Sequence, residues 1–193
     1  MRNLGVVDGI AYACGMAREV YRREGDDNWI AMNAPRKGKE IVGFEAIDGF
    51  DRSEIYAVGL KGDIWEWNSS AWTQHASPTN VILNGVCCAP NGEVYICGQQ
   101  GMLISGRGSS WGLIDLGDFA ADFWDVHYFN NTIYLATMFT LFTYTKEDGL
   151  EAVNFGDDAP TSCYRLTSAE GVLWSVGSAD IFSYDGKSWT RVD

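Results

Sequence analysis

The chain has little of what a membrane segment, a secretion signal or a nucleic-acid-binding surface requires. None of its apolar runs is long enough to cross a bilayer, and no apolar signal segment precedes Arg18 and Glu19. Basic residues number 14 against 26 acidic ones, which gives a net charge of −12. Because a phosphate backbone needs Lys and Arg on one face, this balance argues against nucleic acid as a partner. We expect a cytoplasmic protein that contacts neither membrane nor nucleic acid.

Cysteine and histidine are also scarce, which limits metal sites and catalytic sites. Five cysteines, an odd number without an export signal, predict free thiols rather than a disulfide framework. Cys87 and Cys88 are neighbours, so on a strand they would point to opposite faces and could not hold one metal. The two histidines, His75 and His127, lie far apart and near no Ser or Cys nucleophile motif. The sequence therefore predicts no catalytic residue, no metal site and no cofactor.

Aromatic and glycine landmarks recur along the whole chain with a period of about 40 residues. An aromatic residue opens each copy at Tyr12, Tyr56, Tyr95, Tyr134 and Trp174. A glycine follows three residues later in four copies, at Gly15, Gly59, Gly98 and Gly177, with Thr137 in the fourth copy. A second aromatic landmark follows at Trp29, Trp72, Trp111 and Trp189, with Leu150 in the fourth copy. The chain is therefore a repeat array with one irregular copy.

The local pattern within each repeat indicates strands rather than helices. Short runs rich in Val, Ile, Tyr, Trp and Thr alternate with polar residues and are broken by Gly, Asn, Asp and Ser. Four such runs in about 40 residues are typical of a propeller blade. We predict an all-β fold, a five-bladed β-propeller of four-stranded antiparallel blades that forms a single domain over residues 1–193. The predicted blades are approximately 1–35, 41–77, 83–117, 123–156 and 162–193.

Three segments carry a resemblance to known proteins. They are IYAVGLKGDIWEWNSSAWTQ (55–74), SPTNVILNGVCCAPNGE (77–93) and VYICGQQGMLISGRGSSWGLI (94–114). These segments resemble bacterial propellers of the BNR-like, YVTN-like and photosystem-assembly-factor-like kind, strongly in blades 2 and 3 and least in blade 4. Short propellers of this kind without other domains are similar to proteins found beside polymorphic toxin genes. The resemblance implies an immunity protein that binds and neutralises a toxin domain.

Two classes of function fit such a ring. One is a non-enzymatic protein-binding propeller, and the other binds small ligands, as a lectin does; an assembly-factor-type scaffold is a further alternative. A lectin with equivalent pockets needs the same polar residues in every blade, whereas the residues that repeat here are the buried aromatic and glycine set. The connecting segments share no pattern, which favours one asymmetric surface for a protein partner. The acidic balance suits a basic toxin domain, and we expect the protein alone to be a monomer.

The candidate partner-binding surface comes from the connections between successive blades, which gather at one end of a propeller. The connection before blade 4 mixes apolar anchors with acidic groups, as protein interfaces do, and the next connection adds an acidic pair. The candidate residues are Asp118, Phe119, Asp122, Phe123, Trp124, Asp125, Asp157 and Asp158. The alternative for Phe123 and Trp124 is that they begin the inner strand of blade 4 and are buried.

Overall fold

The computed structural model describes residues 1–192, which form five antiparallel sheets of four consecutive strands each. Blade 1 holds β1 (Asn3–Val7), β2 (Ile10–Cys14), β3 (Val20–Gly25) and β4 (Asn28–Ala31), and blade 2 holds β5 (Phe44–Asp51), β6 (Glu54–Gly59), β7 (Ile64–Trp67) and β8 (Trp72–Gln74). Blade 3 holds β9 (Leu83–Cys88), β10 (Val94–Gly98), β11 (Leu103–Arg107) and β12 (Ser110–Leu113). Blade 4 holds β13 (Asp125–Phe129), β14 (Thr132–Ala136), β15 (Leu141–Thr145) and β16 (Gly149–Ala152), and blade 5 holds β17 (Arg165–Ala169), β18 (Val172–Val176), β19 (Ile181–Tyr184) and β20 (Trp189–Arg191). The predicted five-bladed, all-β propeller is confirmed.

Helix is almost absent from the described residues, and tight hairpin turns explain how each blade is built. A 3₁₀ turn at Leu60–Gly62 is the one helical element between residues 1 and 192. Two-residue turns join the first two strands of blades 1, 4 and 5, at Asp8–Gly9, Asn130–Asn131 and Glu170–Gly171, and both residues of each turn have positive φ. This conformation matches the right-handed twist of the flanking strands.

No helix in the described part is long and apolar enough to cross a membrane.

The repeated aromatic landmarks meet in the gaps between blades. Each blade has a forward face toward the following blade and a backward face toward the preceding one. The first landmark lies on the forward face and the second on the backward face, so Tyr56 of blade 2 meets Trp111 of blade 3 with ring centroids 5.7 Å apart. Tyr134 and Trp189 meet in the same way between blades 4 and 5, at 6.3 Å. Four hydrophobic clusters built on this plan fill the gaps between blades 1 and 2, 2 and 3, 3 and 4, and 4 and 5.

The repeat glycine permits a close approach of the second strand to the start of its own blade. A Cβ added to Gly59 would lie 2.1 Å from the carbonyl oxygen of Gly43, so no side chain fits there. Blade 4 has Thr137 at this position, and its Oγ1 donates to the carbonyl oxygen of Thr140 at 2.8 Å. The threonine thereby closes the turn, and the paired register of β13 and β14 is unbroken from Asp125 to Phe129. The sequence irregularity of blade 4 does not disturb its sheet.

Candidate functional site

The connections between blades lie at one end of the propeller, which we call the connection face. Because each blade consists of four consecutive antiparallel strands, the starts of the inner strands, the turns between second and third strands and the ends of the outer strands share this end. The predicted residues fall in two neighbouring connections, residues 114–124 before β13 and residues 153–164 before β17, with Asp125 as the first residue of β13.

The two phenylalanines of the predicted site belong to the core. Phe123 has no exposed surface, and the ring of Phe119 stacks on it with centroids 4.9 Å apart. Phe119 also meets the edge of Phe142 at 4.9 Å, in the cluster that fills the gap between blades 3 and 4. Both side chains therefore hold the connection onto the blade, and Phe123 must be removed from the candidate surface.

Trp124, in contrast, is 37% exposed on the connection face. Its backbone N–H donates to the carbonyl oxygen of Ala136, and its ring stands edge-on to Tyr164 at 5.7 Å. The turn between β14 and β15 adds two more exposed apolar side chains, Met138 and Phe139, the latter 69% exposed. The N–H of Cys163 donates to the carbonyl oxygen of Met138, which ties this turn to the connection that carries Tyr164. We call Trp124, Met138, Phe139 and Tyr164 the aromatic patch.

Sequence reasoning found Trp124 and missed the rest of the aromatic patch. Met138 and Phe139 lie outside the repeat landmarks, so the periodicity gave no reason to select them. A usable signal was their position in the turn after the repeat glycine, where blade 2 has Lys61 and blade 3 has Gln100 at the place of Phe139. No other blade has an aromatic residue at the place of Phe139, and an exposed aromatic side chain beside other apolar ones indicates an interaction surface.

Four of the predicted aspartates lie in the two connections that also carry Trp124 and Tyr164. Asp118 and Asp157 are exposed, and Asp122 is exposed while its Oδ1 accepts the N–H of Gln100 at 2.8 Å. Asp158 is paired with Arg191, whose Nη2 lies 2.9 Å from Asp158 Oδ1. We call Asp118, Asp122, Asp157 and Asp158 the acidic rim.

Asp125 lies off the connection surface and faces the central channel. This channel is lined by residues of all five inner strands. The Oδ2 atom of Asp125 accepts the N–H of Leu166 at 2.9 Å, which links blade 4 to blade 5, and burial raises the pKa of Asp125 to about 6. Asp48 makes a similar link between blades 2 and 3, accepting the N–H of Cys88 at 2.7 Å, and burial raises its pKa to about 6 as well. Asp125 is therefore a residue that joins blades rather than a surface contact.

The channel also holds a histidine beside a serine, an arrangement that resembles part of a catalytic site. His127 Nε2 lies 2.8 Å from Ser168 Oγ, and burial lowers the pKa of His127. The neighbouring carboxylate of Asp125 does not orient the imidazole, because its oxygens accept the N–H groups of Val126 and Leu166. The pair thus serves as another contact between blades 4 and 5.

The cysteines and the acidic residues form no metal site within residues 1–192. Cys87 and Cys88 belong to the clusters on opposite sides of blade 3, which confirms that they point to opposite faces. Burial raises the pKa of the Cys14 thiol to about 12, so this thiol stays protonated and packs as a small apolar group.

Comparison with known proteins gives a close relative and a set of distant folds. No protein-family model matches the chain. The chain is 45% identical to the "Immune protein Tsi7" of Pseudomonas aeruginosa over 197 aligned residues, which cover 100% of this chain and 64% of that protein. The chain therefore spans slightly less than two thirds of this relative.

Solved structures with the same fold have much lower sequence identity. A streptogramin B lyase superposes with a TM-score of 0.80 at 13% identity, covering 100% of this chain and 68% of the lyase. A structure of YCF48 bound to a D1 peptide gives a TM-score of 0.68 at 10% identity, covering 98% of this chain and 65% of the other. At these identities the similarity shows a shared β-propeller fold and carries no function across.

Proposed function

We propose that this chain is a non-enzymatic immunity protein that binds and neutralises a toxin domain in the cytoplasm. The observation that carries the proposal is the 45% identity to Immune protein Tsi7, which extends over the whole chain. A propeller fold is compatible with many functions, so the surface must supply the rest of the support.

The aromatic patch and the acidic rim together have the composition of a protein-binding surface. Aromatic side chains and methionine are enriched where interfaces are fully desolvated, and a polar rim surrounds such centres. Trp124 and Phe139 supply exposed anchors, and the four aspartates of the acidic rim lie in the connections on either side. A net charge of −12 adds a negative field that attracts a basic partner from a distance. A basic toxin domain is the partner that this surface fits best.

Binding kinetics with the protein partner captured by the tagged chain from the source organism test the role of the anchors. Trp124→Ala and Phe139→Ala should each raise the dissociation rate about 10-fold or more, because such desolvated anchors supply much of the affinity. Trp29→Ala is the matched control, since Trp29 is 39% exposed on blade 1 and belongs to neither the patch nor the rim. Equal dissociation rates for wild type, Trp124→Ala and Trp29→Ala would remove the aromatic patch from the interface.

The same binding kinetics separate the contribution of charge to association from the contribution of the anchors to dissociation. Changing Asp118, Asp122 and Asp157 to asparagine keeps side chains of similar size and should mainly slow association, with a weaker dependence on salt; Asp158 is left unchanged because it is paired with Arg191. Asp122→Asn keeps an oxygen that can accept the N–H of Gln100, so the local fold should survive. A wild-type association rate that is independent of salt would contradict attraction of the partner by the negative field. Saturable binding of a neutral glycan without toxin binding would favour the lectin alternative.

A further inference from the structure

The forward face of blade 5 is an uncovered copy of surfaces that are buried in the other blades. Register places Val176 at the position of Val58, Cys97 and Ala136, all of which are fully buried. Val176 itself is 37% exposed, and its strand partner Ile181 is 36% exposed, although the residues equivalent to Ile181 in the other blades are also buried. The side chains are thus of the type that packs against a following blade, and nothing within residues 1–192 covers them.

The backward face of blade 1 shows the same contrast from the other side. Leu4 occupies the position of Val86, Val126 and Leu166, which are buried, yet Leu4 is 54% exposed. The landmark Trp29 shares this face and is exposed, whereas its counterpart Trp72 is only 8% exposed because blade 1 covers it. A shallow apolar cavity of about 400 Å³ lies on this face, lined in part by Ala13, Tyr21 and Trp29.

The two free faces are complementary in type. Every packed gap in the molecule joins a forward face to a backward face. The uncovered pair consists of one forward face on blade 5 and one backward face on blade 1, and no hydrophobic cluster joins them within the described residues. An occupant that satisfies both must begin with a backward face and end with a forward face, as one or more further blades do.

The size of the occupant follows from the longer proteins that share the arrangement. All five blades superpose on 68% of the streptogramin B lyase with a TM-score of 0.80, and the 45% identical relative also extends beyond the match by about a third of its length. At about 40 residues per blade, the extra length corresponds to roughly two blades in the lyase and to roughly two to three in the relative.

We propose that the free faces of blades 1 and 5 together bind a β-structured polypeptide of about two blades, which completes the ring. Its first blade packs on Val176 and Ile181, and its last blade packs on Leu4 and Trp29. Arg165 is the one charged residue on the strands of the blade 5 free face, so the contacting sheet is apolar with an acceptor near this guanidinium. This binding site lies on the sheet faces, whereas the aromatic patch lies on the connection face, and the two approach each other where the N–H of Tyr164 donates to the carbonyl oxygen of Val176 at 3.2 Å.

Co-expression tests the proposal with a defined probe, the third of Immune protein Tsi7 that lies outside the match. The full chain carries an affinity tag and the probe carries none, and the purified material is analysed by size exclusion with light scattering. We expect a 1:1 complex. Val176→Arg and Leu4→Arg should each reduce the co-purified probe about 10-fold or more, since a charge is then buried in an apolar contact. Leu113→Arg is the matched control, because Leu113 is exposed on the outer strand of blade 3.

Each outcome of the co-expression experiment supports or overturns the proposed ring completion. A tagged chain that purifies alone as a monomer overturns the proposal. A dimer of the chain that Val176→Arg disperses overturns it too, because the occupant is then a second copy. Val176→Arg and Leu4→Arg change exposed side chains, so thermal unfolding of the variants alone should match wild type and shows that lost binding is not lost folding. Toxin binding by Leu4→Arg should be unchanged, because Leu4 lies on blade 1 and not beside the aromatic patch, and this variant keeps the test independent of the proposed immunity function.

Discussion

Arg18 and Asp63 form a buried ion pair that locks blade 1 onto blade 2. Arg18 Nε donates to Asp63 Oδ2 at 2.8 Å, and Nη2 donates to Asp63 Oδ1 at 3.0 Å. The Nη1 atom donates to the carbonyl oxygen of Pro35, and the guanidinium lies 4.7 Å from the ring centroid of Trp65. A buried pair is tolerated when its donors and acceptors are satisfied in this way, and removal of one member leaves the other as an uncompensated charge.

We expect Asp63→Ala to lower the free energy of unfolding by about 3 kcal/mol, because Arg18 then stays buried with only the Glu40 carboxylate, 4.0 Å from its Nη1. Urea unfolding monitored by tryptophan fluorescence measures the loss. Asp26→Ala is the control, since the Arg23–Asp26 pair is exposed and should contribute less than about 1 kcal/mol. Similar losses in the two variants would contradict the assignment of Arg18 and Asp63 as a link between blades.

The channel aspartates predict a stability that declines toward neutral pH. Burial raises the pKa of Asp48 and Asp125 to about 6, above the unfolded value of about 3.9. The folded state therefore binds these protons more tightly, so their contribution is full below the unfolded pKa and is lost as pH rises through about 6. Both side chains line the channel and are only partly shielded from solvent, which limits the size of the effect.

Asp125→Asn removes this charge and keeps an oxygen that accepts the N–H of Leu166, while its NH2 group replaces the oxygen that accepts the N–H of Val126. We expect a higher free energy of unfolding than wild type at pH 7.5, by at most about 3 kcal/mol, and a difference that shrinks toward pH 4.5. Denaturant melts at several pH values measure it, with the exposed Asp118→Asn as control. A variant less stable than wild type at pH 7.5 would show that the ionised carboxylate is favourable in the channel.

At the scale of the strand and the blade, the repeat landmarks were the informative part of the sequence. Tyr and Trp recur because one ring faces forward and the other faces backward into a shared gap, and glycine recurs because the second strand approaches the inner strand closely. The position of a landmark in the repeat does not show whether a neighbouring blade covers its side chain. Trp29 and Trp72 are the same landmark, and they differ only because blade 1 covers Trp72 and no described residue covers Trp29 to a similar degree.

This contrast gives a paired prediction for two identical substitutions. Trp72→Ala should lower the free energy of unfolding by about 3 to 5 kcal/mol, the range for a buried large aromatic side chain, and should also lose the bond from Trp72 Nε1 to the carbonyl oxygen of Met32. Trp29→Ala should cost about 1 kcal/mol, because surface substitutions remove little packing. Thermal or urea unfolding of both variants measures the two losses of stability. Equal losses of about 3 to 5 kcal/mol would mean that a partner covers Trp29 of blade 1 in solution.

The candidate site was less predictable than the fold, for a physical reason. Phe123 and Trp124 are adjacent aromatic residues at the start of an inner strand, and alternation sends the first into the core and the second to the connection face. The sequence pattern did not fix which of the two is exposed. Phe139 and Trp124 are brought to the same surface only by the fold. The turn that carries Phe139 is hydrogen-bonded to the connection before blade 5, and Tyr164 of that connection contacts Trp124.

At the scale of the whole molecule, the five blades present two kinds of surface at different places. The connection face carries the aromatic patch and the acidic rim, and the free faces of blades 1 and 5 carry the apolar side chains of an uncovered sheet. The net charge of −12 belongs to the whole chain, and its summed field attracts a distant basic partner.

Growth of cells that co-express the chain with the toxin domain it captures from the source organism tests the immunity function most directly. The account predicts that wild-type chain and Trp29→Ala restore growth, whereas a chain with both Trp124→Ala and Phe139→Ala, present at equal abundance, restores it poorly. Wild-type chain that gives no protection, or a double variant that protects as well as wild type, would contradict the account.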